Sequence, residues 1–207
     1  MSVPAPQSQA APDLSKAEAS RQRILDAAAG VFTNKGYVAT RLTDIAQAAE
    51  MGAGSLYYHF ESKEQIFEEV LDIGMRQIAA AVSQAVEEQG ADASHRARIG
   101  AAIEAHLITL LEPGDYAQAN IRNFGQIPED MQRRHLHLRT SYGNYWQALL
   151  QAAQDAGALR ADANLSVLRM LLLGTLNWSA EWYDPEIGPL QGIAQELHRL
   201  LFDGAGA

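Results

Sequence analysis

The 207 residues carry 16 Lys+Arg against 25 Asp+Glu, a net charge of −9, and no cysteine. Such a length holds one large or two small domains with a real core. The acidity argues against a general polyanion binder, the lack of cysteine excludes a disulfide framework or thiolate metal site and favours a reducing, cytoplasmic setting, and no apolar run is long enough to span a bilayer.

Residues 1–15, rich in Ala, Pro, Gln and Ser, read as a disordered tail and not as a signal peptide. A first helix is expected from about Lys16 to Asn34, with Ile24, Leu25, Ala28 and Phe32 inward and Lys35-Gly36 as its stop. Thr40 then suits an N-cap, with Thr43 and Asp44 in the first turn of a short helix whose apolar face is Ile45, Ala46, Ala48 and Ala49. Glu50-Met51-Gly52 breaks that pattern. Ala53 to His59 restores it, with Leu56 and Phe60 on the buried side and Gly54, Ser55, Tyr57, Tyr58 and His59 nearer the outside.

A long helix follows from about Lys63 to Glu88, then a break at 89–92 and a helix from about Ser94 to Leu111. A short element covers Tyr116 to Asn123, an irregular stretch runs through Pro128, and Glu129 to Ala156 forms another long helix. The last two helices span about Leu165 to Trp182 and Leu190 to Phe202. No segment shows sustained strand alternation, so the expected fold is all-α, with an N-terminal three-helix unit at 16–62 and a helical bundle at 63–207.

Two short helices joined by a tight turn, the second ending in aromatic and basic residues, have the form of a helix-turn-helix whose second helix enters a DNA major groove. Small residues at 53–55 let that helix end sit deep. Tyr57, Tyr58 and His59 can donate to phosphate oxygens, and Lys63 begins a helix whose exposed N–H groups suit a phosphate. Charge is distributed accordingly: residues 1–63 hold 6 basic and 6 acidic side chains, whereas 64–207 hold 10 and 19. A neutral head on an acidic body suits docking through one face, with strong salt dependence.

Arg23-Ile24-Leu25, Ala27-Ala28, Phe32, Gly36-Tyr37, Thr40, Asp44-Ile45-Ala46, Leu56 to Phe60 and Ser62-Lys63-Glu64 together resemble the N-terminal domain of the tetracycline-repressor (TetR) family. The resemblance is dense over residues 21–67. It implies an all-helical homodimer that binds double-stranded DNA, with Arg41, Thr43, Gly54, Ser55, Tyr57, Tyr58, His59 and Lys63 as DNA contacts. It also implies a C-terminal domain that binds a small-molecule effector. Two positions depart from the family pattern. Glu50 stands where the turn usually has Gly, at a cost of roughly 1 kcal/mol if φ is positive there. Arg41 stands where Ser or Thr is frequent.

The helix at 165–182 is apolar on more than one face, so it needs cover on two sides. With Leu190, Ile193, Leu197, Leu200 and Leu201 it suggests a four-helix interface across a two-fold axis, which agrees with the family's use of its final two helices. Such a dimer sets two recognition helices about 34–36 Å apart. Polar and aromatic residues are interleaved with the apolar body: His106, Tyr116, Asn120, Arg122, Tyr142, Tyr145, Trp146, Asn177, Trp178 and Trp182. Apolar walls with a few polar anchors describe a ligand pocket, and also a core with satisfied polar groups; the family resemblance favours the pocket. Asn177-Trp178-Ser179 and Trp182 to Pro185 are similar to regulators that respond to acyl-CoA thioesters. That implies an acyl-CoA or a hydrophobic acid, with Arg122 or Arg139 as charge partner.

No catalytic constellation, metal site or cofactor motif competes with this reading. His135 and His137, two apart, point to different faces of a helix. Glu68-Glu69 and Glu87-Glu88 read as solvated faces, and no phosphate loop or nucleophile elbow is present. The alternative is a helix-turn-helix protein with no effector, which requires a solid body where a ligand-responsive regulator requires a cavity.

Overall fold

The computed structural model describes residues 15–112 and 115–204, so the expected disordered tail lies outside the described residues apart from Ser15. Helix α1 (Lys16–Lys35) opens with a capping box: Ser15 Oγ accepts from the Glu18 N–H at 3.2 Å, and a Glu18 carboxylate oxygen accepts from the Ser15 N–H at 2.9 Å. Helices α2 (Leu42–Ala48) and α3 (Ala53–His59) follow, then α4 (Lys63–Glu88), α5 (His95–Leu111), α6 (Asp115–Asn123), α7 (Glu129–Asp155), α8 (Leu165–Trp182) and α9 (Leu190–Asp203). Among the described residues there is no strand. Ser62 and Ser94 cap α4 and α5, each accepting from the backbone N–H three residues on.

Two local expectations are corrected. Thr40 does not cap α2; it is 2% exposed and its hydroxyl donates to the Gly36 carbonyl at 2.7 Å, closing the turn after α1. Helix α2 starts one residue later, with the Arg41 N–H bound to Asp44 Oδ2 at 2.9 Å. That bond and the Lys35 ammonium, 2.9 Å away, hold the Asp44 carboxyl below its ordinary range. Ala48 faces solvent, and Ala49 completes the buried face.

Helix α4 belongs to two cores. Its first half, Ile66 to Leu71, packs with Ile24, Phe32, Ile45, Leu56 and Phe60, where Phe67 meets the edge of Phe32 at 4.6 Å. Its second half, from Met75 to Val82, packs with Ile99, Ile103, Leu107, Trp146, Leu150 and Leu176. The change of core falls between Leu71 and Met75, and α6 crosses there. Gly74 permits the crossing: a Cβ at this position would lie 2.8 Å from the Tyr116 carbonyl carbon and closer still to its oxygen.

Helix α6 is also bolted to α1. The Tyr116 hydroxyl donates to Asp26 at 2.6 Å and accepts from Gln22 at 3.0 Å. Asn123 accepts from the Tyr37 N–H at 2.7 Å and donates to the Phe32 carbonyl at 3.1 Å. Buried amides that satisfy backbone groups in this way fix one register between elements.

Candidate nucleic-acid interface and effector cavity

The α2–α3 turn is a Schellman ending. The Met51 N–H reaches the Ala46 carbonyl at 2.9 Å and the Glu50 N–H reaches Gln47 at 3.1 Å, which drives Glu50 to φ 55°. Glu50 is the sole described non-glycine residue with positive φ. A side chain there costs roughly 1 kcal/mol relative to glycine.

Leu56 and Phe60, each 1% exposed, pin α3 to the core. The helix turns Gly54, Ser55, Tyr57 and Tyr58 to solvent, with Tyr58 80% exposed and Tyr57 59%. Open space lies around Gly52 and Gly54, so another backbone can approach closely. His59 is half-buried, 5.0 Å from the Tyr58 ring. Arg41 and Thr43 are exposed on the adjoining end of α2. Arg41 makes no ion pair among the described residues. Lys63 is placed differently from these seven. Its ammonium donates inward to the Tyr37 and Thr40 carbonyls at 2.9 and 3.1 Å and lies 4.4 Å from the Tyr37 ring centre. It braces the α1–α2 connection, which leaves one N–H for any phosphate.

In the body, α4 to α8 form a partly open cavity of about 60 Å³ lined by Met75, Ile78, His106, Ile121, Arg139, Tyr142, Leu173 and Asn177. His106 Nδ1 lies 2.7 Å from the Tyr142 hydroxyl. His106 Nε2 and Asn177 Oδ1 are buried without a hydrogen-bond partner. Burial lowers the His106 pKa to about 4, so its ring is neutral at physiological pH, and burial raises that of Tyr142. Arg139 stacks on Phe124 at 4.1 Å and donates to Asn120 Oδ1 at 2.9 Å. Burial pulls its pKa down too. A second hollow of about 260 Å³ adjoins between α4 and α7 and shares Met75 and Tyr142 with the first. Its other lining includes Arg76, Ala79, Ser83, Leu138, Ser141 and Tyr145.

Of the ten polar and aromatic residues that the sequence interleaves with the body, His106, Tyr142 and Asn177 come together at the inner cavity and Tyr145 lines the adjoining hollow. Asn120 stands behind Arg139, with its amide also bound to the Leu71 carbonyl. Trp146, fully buried, lies 6.3 Å edge-on from Tyr142 but does not reach the cavity. Tyr116 belongs to the α1–α6 contact. Arg122 is engaged by Glu181 at 3.0 Å and the Ala180 carbonyl at 2.5 Å, so it is no charge partner for a cavity ligand. Trp178 and Trp182 are 66% and 40% exposed on the outer side of α8 and cannot line an interior space. Met75, Ile78, Ile121 and Leu173 were missed, because apolar residues at helical spacing read only as core.

Trp178 instead joins Val167, Met170, Leu171 and Gly174 in an outward stripe on α8, the large ones all more than half exposed. No cluster of three metal-binding side chains occurs among the described residues. His135 faces Asp72 at 2.8 Å, while His137 points to solvent. No described helix is long and apolar enough to cross a membrane.

These features coincide with known proteins along nearly the whole chain. Residues 24–70 match the family described as bacterial regulatory proteins, tetR family, and residues 92–205 match the tetracyclin repressor-like C-terminal domain. The HTH-type transcriptional repressor KstR2 of Rhodococcus jostii is 28% identical over 200 residues, covering 94% of this chain and 95% of the relative. The crystal structure of the TetR family transcriptional regulator PfmR from Thermus thermophilus superposes with a TM-score of 0.77 at 28% identity, covering 89% of this chain and 100% of that one. AibR in complex with isovaleryl coenzyme A and operator DNA shares the fold, with a TM-score of 0.79 at 21% identity over 88% of this chain and 98% of its own. With its head and its body both matched, the chain belongs to the tetR family of bacterial regulatory proteins.

Proposed function

We propose that this regulator represses transcription as a cytoplasmic two-fold dimer, docking α3 of each protomer into the major groove of a palindromic operator, and that a small hydrophobic or acyl-CoA-like effector in the body releases it. The observation that carries the reading is the face of α3: Leu56 and Phe60 hold it to the core while Ser55, Tyr57 and Tyr58 stand free in solvent around glycines. Large exposed aromatics on a short helix have no role in the protomer's own packing. Likeness to KstR2, a transcriptional repressor, and to AibR, seen with isovaleryl coenzyme A and operator DNA, supports the same conclusion.

The α8 stripe serves the dimer, together with α9, which packs on α5. We assign the head to 16–62 and the body to 63–207, with α4 shared between them. Coupling runs through α6 as well as α4. Ile121 and Asn120 meet the cavity side, while Tyr116 and Asn123 hold α1 and Tyr37. An effector that displaces α6 therefore moves the head, and the spacing of two heads sets operator affinity. Only a difference in affinity for the two spacings drives release; a full reversal from 99:1 takes about 5.5 kcal/mol.

Leu171→Glu tests the reading. It buries a carboxylate at the centre of the inferred interface without touching either core, so a protomer of unchanged helicity is expected to sediment as a monomer. Its retention of genomic duplexes selected by the wild type should fall more than about tenfold, because one head loses the avidity of two. A variant that remains dimeric and retains DNA like the wild type contradicts the reading.

A further inference from the structure

Arg139 is a cation set among uncharged groups. Its described partners are the Asn120 amide oxygen and the face of Phe124, and it makes no ion pair among the described residues. A half-buried guanidinium without a counter-charge is incompletely solvated, and its forked donors match a carboxylate. His106 adds a second donor. With the Tyr142 hydroxyl donating to His106 Nδ1, the proton of the neutral ring sits on Nε2, beside the Asn177 side chain. Asn177 lies beside that N–H, with its own side-chain oxygen outside hydrogen-bond geometry. Two donor groups, one of them charged, meet on a space of about 60 Å³. That is about two water volumes, which suits a carboxylate and excludes a nucleotide. The larger hollow beyond Met75 and Tyr142 is walled by Ala79, Leu138 and Tyr145 and suits a hydrocarbon chain.

We propose that the effector buries a carboxylate end against Arg139 and His106, with its hydrocarbon part leading out past Met75 and Tyr142 into the groove between α4 and α7. This rests on the reading of the body as an effector domain and adds which chemical group it selects. The carboxylate has two sources: a free aliphatic acid, or the far end of a carboxyacyl thioester whose coenzyme stays outside. Neither inner group titrates between pH 6 and 9, since His106 is already neutral and Arg139 remains charged, so the affinity is flat over that range.

Titration calorimetry of the full-length dimer with decanoate, decanamide, decanoyl-CoA and 9-carboxynonanoyl-CoA tests the proposal. A probe with a free carboxylate should bind about tenfold to a hundredfold tighter than its counterpart without that carboxylate, decanamide for decanoate and decanoyl-CoA for the carboxyacyl thioester. Arg139→Gln should abolish that ratio and Arg139→Lys should keep part of it; where a variant is unstable, the wild-type ratio alone decides. Preference for decanoate assigns the free acid, and preference for carboxynonanoyl-CoA assigns the thioester; both support a buried carboxylate. The proposal is overturned if decanamide or decanoyl-CoA matches the carboxylates, or if no carboxylate probe binds. Retention of operator duplex, followed in the same samples, separates this from the broader reading: release of DNA by decanoyl-CoA alone sinks the buried carboxylate and leaves the ligand-responsive repressor standing.

Discussion

Gly74→Ala is expected to lower the midpoint of thermal unfolding by roughly 10 °C. The added methyl would press on the Tyr116 carbonyl, and backbone cannot swing aside as a side-chain tip can. Relief requires α4 and α6 to separate, which strains the Asn120–Leu71 bond at 2.9 Å and the Asn123–Tyr37 bond at 2.7 Å together. Overpacking of this kind costs about 3 kcal/mol. Gly125→Ala is the control, since nothing lies within 4 Å of its added methyl. Calorimetric scans of both variants decide the point. A Gly74→Ala midpoint within about 2 °C of the control would mean that α6 is not clamped to α4, and the proposed route from cavity to head would lose its pivot.

The second large effect is a pH dependence written by His106. Its ring titrates near 6.5 in the unfolded chain and at about 4 in the folded one, because burial disfavours the imidazolium. Between those values the unfolded chain binds the extra proton. Stability from this group is therefore complete above pH 6.5 and is lost as pH falls toward 4, by about 3 kcal/mol in all. About 2 of these are gone by pH 5. Carboxylates elsewhere also titrate in acid, so the informative quantity is the difference from a variant. Urea melts of the wild type and His106→Gln at pH 7 and pH 5 should show the wild type losing about 2 kcal/mol more over that interval. Parallel losses in both proteins would show that His106 is not buried as a neutral ring.

Much of the fold was legible because helix ends in this chain are marked by local chemistry. Gly36, Gly90 and Gly157 all have positive φ where helices stop, and Ser15, Ser62, Ser94 and Asn164 cap where helices start. Thr40 misled because a hydroxyl before a helix suits a cap and a turn equally; only the neighbouring Gly36 carbonyl distinguishes them. The recognition helix was readable because Leu56 and Phe60 define its inner face and leave Tyr57 and Tyr58 outside. Lys63 was not, since a long flexible side chain can reach out to a phosphate or fold back on a carbonyl, and sequence does not decide between them.

The candidate cavity was harder to read for a related reason. A cavity is where packing stops, and the same aromatic residue lines it, underlies it or faces a second subunit with one turn of helix between the cases. Asn177 lines the cavity, whereas Trp178, the next residue, points out of the protomer. Arg122 and Arg139 are alike in sequence and differ in surroundings: Glu181 stands beside the first, and among the described residues no acid pairs with the second.

Duplex recognition by α3 underlies every functional step proposed for this protein. Selection from a random-sequence duplex pool by the purified dimer, repeated with a Tyr57→Ala/Tyr58→Ala protein of equal thermal midpoint, tests it most directly. The expected result is a palindromic consensus with half-site centres about one helical turn apart, enriched by the wild type and not by the variant. A pool left unenriched by the wild type at low salt, or enriched equally by both proteins, would contradict it.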